Sequence, residues 1–263
     1  MNASSIRSSP TGSSALVAGG TSGIGLATAH HLVADGIDRV VLVGRDSRRG
    51  TLARDQIARL APHADVRFWS VDVSDPSVVD ELIDRVVRVF GRLDIAVTSV
   101  AAPVLPDLLR DISPRLVPSQ LAAVALPPLL LTTAALRVMS KHGGGSIVNV
   151  ASDAGKVPTP GEAVIGAGMA AIAMFGRVAA LEGRRDRVRV NTVMPSLVAG
   201  TPTSDLVLAE GFGKRLFEKA AKQAHLGVTG VDDVARLITF LAGPHADLIT
   251  GQTVSINGGI SVP

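Results

Sequence analysis

The chain has 263 residues, 46% hydrophobic and 19% charged, enough for one α/β domain with a large core and too few for two. It contains no Cys, which excludes disulfides, thiolate nucleophiles and thiolate metal ligation, and its six His show no ligand spacing, since the adjacent His30 and His31 diverge by about 100° on a helix. The net charge of +3 comes from scattered Arg, and aromatics at 3% leave few base-stacking surfaces, so composition argues against both metal chemistry and nucleic-acid binding.

Residues 1–12 are Ser-rich without an apolar run and read as a frayed terminus rather than a signal peptide. No uninterrupted apolar segment approaches the roughly 18 residues of a membrane span, so a soluble cytoplasmic protein is expected. From Ser13 onward, β-branched runs alternate with helical patterns. Strands are predicted at residues 15–18, 40–43, 66–71, 93–97, 146–150, 188–193 and 253–256, with helices beginning near Ile24, Ser47, Pro76, Ser113, Glu162 and Asp232. This order implies an α/β fold: a doubly wound, Rossmann-type parallel sheet of seven strands with helices on both faces, in a single domain. The adjacent Pro127 and Pro128 predict a kink or break in an otherwise helical stretch. Residues 196–227, with Gly211, Gly213 and several Lys, are expected to form either a mobile substrate lid or a surface helix pair.

The run from Ala15 to Gly25 places a strand, a glycine turn and a helix start in succession. Gly19, Gly23 and Gly25 allow backbone to approach a pyrophosphate, and the free N–H groups around Ser22 and Ile24 at the helix N-terminus stabilise its charge. The Gly19-x-x-x-Gly23-x-Gly25 spacing resembles that of the short-chain dehydrogenase/reductase family. Further similarity comes from Asn191-Thr-Val-Met-Pro195 and from the run Ile249 to Gly259, which match the family's sixth and seventh strand signatures. The resemblance implies that Arg45 faces the 2′-phosphate of NADP, selecting NADP(H) over NAD, the lesser alternative being a solvated loop residue. It also implies that Asp72 and Val73 border the adenine. There are departures: Ala18 stands for the usual Thr, Ser196 for a Gly, and Thr98-Ser99-Val100-Ala101 for the family's Asn-Asn-Ala-Gly.

Reductases of this family protonate the substrate oxygen with a Tyr whose pKa is lowered by a Lys four residues later, while a Ser polarises that oxygen. Ser152, in the fifth-strand motif, matches the Ser. The family spacing of thirteen from that Ser falls on Ile165, and counting back twenty-six from Asn191 lands on Ile165 as well; four residues further stands Met169. The relay Asn aligns with Val124, and the chain has no Tyr at all. Loss of general acid catalysis alone lowers rates by a factor of about 10² to 10⁴. Val124, Ile165, Met169, Pro195 and Ser196 are therefore expected to line a dry, apolar substrate pocket. Chemistry would rest on Ser152, with Asp153 and Lys156 on the same crevice-facing loop as candidate acids or bases. Glu162 is expected to cap the next helix, and Asp107 is a weaker candidate.

These residues lead to non-redox catalysis, such as cyclisation, isomerisation or dehydration of an apolar carbonyl compound. The alternatives are a non-catalytic partner of an active relative, and an NADP-dependent oxidoreductase using Lys156 or Asp153 as substitute acid. The resemblance also implies a homodimer or homotetramer formed through the helices beginning near Ser113 and Glu162.

Overall fold

In the computed structural model, which describes residues 12–209 and 211–262, the runs of aliphatic residues become β1 (Ser14–Ala18), β2 (Arg39–Gly44), β3 (Asp65–Ser70), β4 (Ile95–Thr98), β5 (Gly145–Val150) and β6 (Val188–Pro195). The short β7 (Val198–Ala199) and β8 (Thr229–Gly230) follow, and β9 (Thr253–Ile256) closes the series. All but β7 and β8 join one parallel sheet in the order β3-β2-β1-β4-β5-β6-β9. The predicted strands thus hold to within a residue or two. The expected frayed terminus lies outside the described residues except for Gly12, whose N–H donates to the Asp38 carboxylate at 3.0 Å.

Every residue of β1 is buried, as a strand covered on both faces requires. Alternate side chains diverge. Ala15, Val17, Val40, Leu42, Val97 and Val148 meet α1 (Gly23–Ala34), α2 (Ser47–Leu60) and α8 (Val231–Ala242). Leu16, Val41, Val43, Ala96 and Ile147 meet α3 (Pro76–Phe90), α4 (Val117–Lys141) and α5 (Ala163–Gly183). Arg189 of β6 ties the last turn of α8 to the sheet, donating to the carbonyls of Leu241 (2.6 Å), Ala242 (3.1 Å) and Gly243 (3.0 Å) at the helix C-terminus.

Two expectations about α4 are corrected. It opens at Val117 rather than near Ser113, because Pro118 fits only the first turn, where its missing N–H costs nothing. It also runs unbroken through Pro127 and Pro128. Both prolines are buried, and core contacts along a 25-residue helix offset the two backbone hydrogen bonds that the rings remove. By length and composition, α4 and the helical segment Ala163–Asp186 that contains α5 are also long and apolar enough to cross a membrane, although neither is an uninterrupted apolar run. Here they are core helices: α4 buries Val124, Leu131 and Met139, and α5 buries Ile172 and Ala179.

Residues 196–227 contain the helix pair, α6 (Pro202–Ala209) and α7 (Gly211–Gln223), and β7, which precedes the pair, runs parallel to β8, which follows it. Thr201 caps α6: its hydroxyl accepts from the Ser204 N–H at 3.0 Å, and the Ser204 hydroxyl donates back to the Thr201 carbonyl at 2.7 Å.

Candidate active site

The strand order reverses between β1 and β4, and the crevice opens beyond their carboxyl ends. Gly19 turns the chain there at φ +78°, its N–H donating to the Val43 carbonyl at 2.9 Å, while Ser99 N–H donates to the Ala18 carbonyl at 2.9 Å. A methyl group on Gly19 would overlap the Ser99 carbonyl, and one on Gly25 would overlap the Gly19 carbonyl. The turn is therefore clamped between β2 and β4 in a shape only glycine permits. Helix α1 begins without a side-chain cap from Ser22 and without an acid in its first turn, so its N-terminal N–H groups and dipole stay available to an anion. Ile24 is partly buried against the sheet. Gly23 faces the start of α6: a β-carbon there would stand 3.4 Å from the Thr201 methyl and 3.6 Å from Pro202.

At the adenosine end, Arg45 is exposed and lies 3.9 Å from the exposed Asp72 carboxylate. Asp72 is held below the usual carboxylate range chiefly by the hydroxyl and N–H of Ser74, with Arg45 a lesser influence. Val73 is buried in the core. Sequence reasoning passed over Arg48 and Arg49, which follow on the first turn of α2, exposed like Arg45; three Arg within five residues of one strand end was the available signal. Asp46 between them accepts from the Arg49 N–H at 3.0 Å as the cap of α2.

The chemical end is rearranged. Ser152 stands at the end of β5, partly buried, its hydroxyl accepting from the Ala154 N–H at 3.3 Å. Asp153 and Lys156 are not free groups on a solvated loop. Asp153 is buried and accepts from the hydroxyls of Ser255 (2.7 Å) and Ser261 (3.1 Å) and from the side-chain amide of Asn257. Lys156 donates to the same Ser255 hydroxyl at 2.8 Å and to the Thr253 carbonyl at 3.1 Å. A buried carboxylate needs donors, and here β9 and the turn after it supply them. The pair thus ties the turn after β5 to the sheet edge.

The expected apolar pocket is largely filled by the protein itself. Val124 is buried against Gly168, where a methyl would come within 2.6 Å of its side chain. Gly166 meets the Ala154 carbonyl, and Gly155 meets the backbone of Met169 and Ala170. Met169 packs with Ala151, Ile172, Ala173 and Met194. Pro195 is buried, and only Ile165 and Ser196 of the five pocket residues are partly exposed without such a role. Nearby, the buried Thr98 hydroxyl has no hydrogen-bond partner among the described residues, beside a Thr132–Asn149 pair joined at 2.9 Å.

Glu162, expected as a cap, makes no side-chain capping bond to α5: its backbone N–H donates to the Thr159 carbonyl at 3.0 Å and its carbonyl accepts from the Gly166 N–H at 2.6 Å, while its carboxylate has no hydrogen-bond or ion-pair partner among the described residues. It is partly buried, and desolvation raises its carboxyl to about 7. Next to it, Gly161 lies against the Phe212 ring of α7, and its carbonyl accepts from the Asp107 N–H at 2.8 Å. The Asp107 carboxylate is engaged locally, accepting from the Leu108 N–H at 2.8 Å. Among the described residues, no cluster of three or more His, Asp or Glu is placed to hold a metal.

A family model described as enoyl-(acyl carrier protein) reductase matches residues 18–261, nearly the whole chain. The chain belongs to the short-chain dehydrogenase/reductase family. Among curated proteins of the family, it is 31% identical to an uncharacterized oxidoreductase of Mycobacterium tuberculosis, covering 95% of this chain and 92% of that one. It is 34% identical to a cis-4-hydroxycyclohexanecarboxylate dehydrogenase of Sinomonas cyclohexanicum, covering 93% and 95%. A short-chain type dehydrogenase/reductase structure from Mycobacterium ulcerans superposes with a TM-score of 0.87 at 26% identity, covering 95% of this chain and 90% of that one. These relatives are named as oxidoreductases, which favours the oxidoreductase alternative over non-redox catalysis.

Short-chain dehydrogenase/reductases generally bind NAD(P). The residues present fit such a group at one end: the glycine cradle that a β-carbon would fill, the open start of α1 and the exposed Arg45 suit its phosphates. At the other end, Met169 packed among apolar side chains offers no hydrogen bond to a nicotinamide ribose.

Proposed function

We propose that the protein is an atypical NADP(H)-linked oxidoreductase acting on a carbonyl or secondary alcohol of a largely aliphatic metabolite. The observation that carries this reading is the glycine turn, held against Ser99 by contacts that admit no side chain, with Arg45, Arg48 and Arg49 grouped where the second strand ends. When bound, NADP(H) supplies or accepts the hydride. Ser152 donates a hydrogen bond to the substrate oxygen, and Ile165 provides an apolar wall in place of the family's phenol. A cyclohexane ring carrying a hydroxyl, as the Sinomonas relative's name describes, is the substrate class we favour. Lys156 and Asp153 are structural in this reading, since both are bound to β9 and its following turn.

Calorimetric titration tests the cofactor. NADPH is expected to bind more tightly than NADH, and Arg45→Ala to weaken NADPH about tenfold or more by removing a charge-assisted bond to the 2′-phosphate, with NADH unaffected. Equal loss for both cofactors, or no binding of either, overturns the assignment. We further propose a homodimer or homotetramer formed by the faces of α4 and α5 that carry exposed Leu121, Leu126, Met174, Val178 and Leu181. Light scattering should return a multiple of 27.0 kDa. Val178→Arg should lower it toward a single chain, and a monomeric wild type removes the proposal.

A further inference from the structure

Resting on the oxidoreductase reading, we propose that Glu162 is the catalytic acid–base residue of this crevice, exchanging the proton that a tyrosine exchanges in the family at the position of Ile165. Glu162 stands three residues before Ile165 where α5 begins, about one helical turn nearer the mouth. Residues so spaced share a side of the helix. The preceding Gly161 touches Phe212 of α7, and its carbonyl accepts from the N–H of Asp107 in the loop after β4. The turn carrying Ser152 sits one turn further along α5, where Gly166 meets the Ala154 carbonyl. Glu162 thus follows the residue at which α7, the loop after β4 and the start of α5 meet, and its partly buried carboxylate has no hydrogen-bond or ion-pair partner among the described residues.

No charge on the neighbouring elements neutralises it. Asp107 is bonded to Leu108, Lys156 to β9, and Asp153 to Ser255, Asn257 and Ser261. Lys214 and Arg215 follow Phe212 on α7, exposed and without an ion pair to Glu162. With desolvation unopposed, the carboxyl titrates near neutral pH, where an acid–base catalyst is most effective.

In the reducing direction, the substrate carbonyl carbon accepts the hydride and the C=O π pair moves onto oxygen. That oxygen takes the proton from the Glu162 carboxyl, giving the alcohol and oxidised cofactor, and the carboxylate regains a proton from water. In the oxidising direction, the Glu162 carboxylate removes the hydroxyl proton as hydride leaves.

The test compares wild type, Glu162→Gln and Glu162→Asp, using NADPH with a panel of alicyclic ketones that includes 4-oxocyclohexanecarboxylate. Infrared difference spectra of the protein without cofactor are recorded in parallel across pH 5–9. A protonated-carboxyl band that titrates near neutrality in wild type and is missing from Glu162→Gln is expected. NADPH oxidation should fall about 100-fold or more in Glu162→Gln, with NADPH affinity unchanged and Glu162→Asp partly active. The wild-type rate should fall at high pH with the same midpoint as the band. An active wild type matched by Glu162→Gln in rate and pH profile overturns the role of Glu162 and leaves the oxidoreductase reading standing. NADPH bound but never oxidised by wild type overturns the oxidoreductase reading, and this inference with it.

Discussion

Asp153→Ala is expected to unfold the domain at markedly lower temperature, with a stability loss of about 3 kcal/mol, because it strands buried donors rather than removing a surface charge. The Asp153 carboxylate is 4% exposed and receives Ser255, Asn257 and Ser261. Without it, the Asn257 amide and two hydroxyls lose an acceptor, and Lys156 keeps only its direct contacts to β9. For a domain of this size, such a loss lowers Tm by roughly 6–12 °C. Asp153→Asn should recover little, since it turns one acceptor into a donor facing the Asn257 amide. Thermal melts followed by circular dichroism decide it; a Tm within a degree of wild type would show that Asp153 is dispensable to the fold, and would return it to the list of candidate acids.

Glu162→Gln is expected to do the reverse, stabilising the protein increasingly as pH rises above about 4.5. Burial raises the folded-state carboxyl from 4.5 to about 7, so between those values the folded state holds a proton that the unfolded chain has released. Below about pH 4.5 both states are protonated and the Glu is no burden. As pH rises toward 7, the wild type loses stability relative to the Gln variant, and above 7 the deficit is constant. A shift of this size corresponds to on the order of 3 kcal/mol. Urea denaturation of both proteins at pH 5, 7 and 8.5 measures the difference directly, with contributions of all other titrating groups cancelling. A gap that does not change with pH would mean that the carboxyl is solvated, and the acid–base role would lose its physical basis.

The two residues illustrate where local reading stops. Asp153 reads as a candidate acid on a crevice-facing loop because its partners lie 102 to 108 positions away, at Ser255, Asn257 and Ser261. Glu162 looked like a helix cap because acids favour first turns, and nothing local reveals that its side chain makes no capping bond and is desolvated instead. Val124 and Met169 were correctly seen as aliphatic, but whether such groups line a cavity or fill it depends on the glycines opposite. Gly168 lets Val124 in, and Gly155 lets the turn after β5 approach Met169. The prolines of α4 misled for a related reason: the cost of two missing N–H groups is local, whereas the burial that offsets it is not.

By itself the sequence determined the doubly wound sheet, because alternating short apolar runs and amphipathic helices have few other ways to bury their faces. It likewise determined the glycine turn and the absence of a tyrosine, which are properties of residue type and spacing. Only the tertiary structure decided which polar groups are available for chemistry. Availability depends on hydrogen-bond partners and desolvation contributed by distant segments, and these removed Asp153 and Lys156 from the crevice while leaving Glu162 at its mouth.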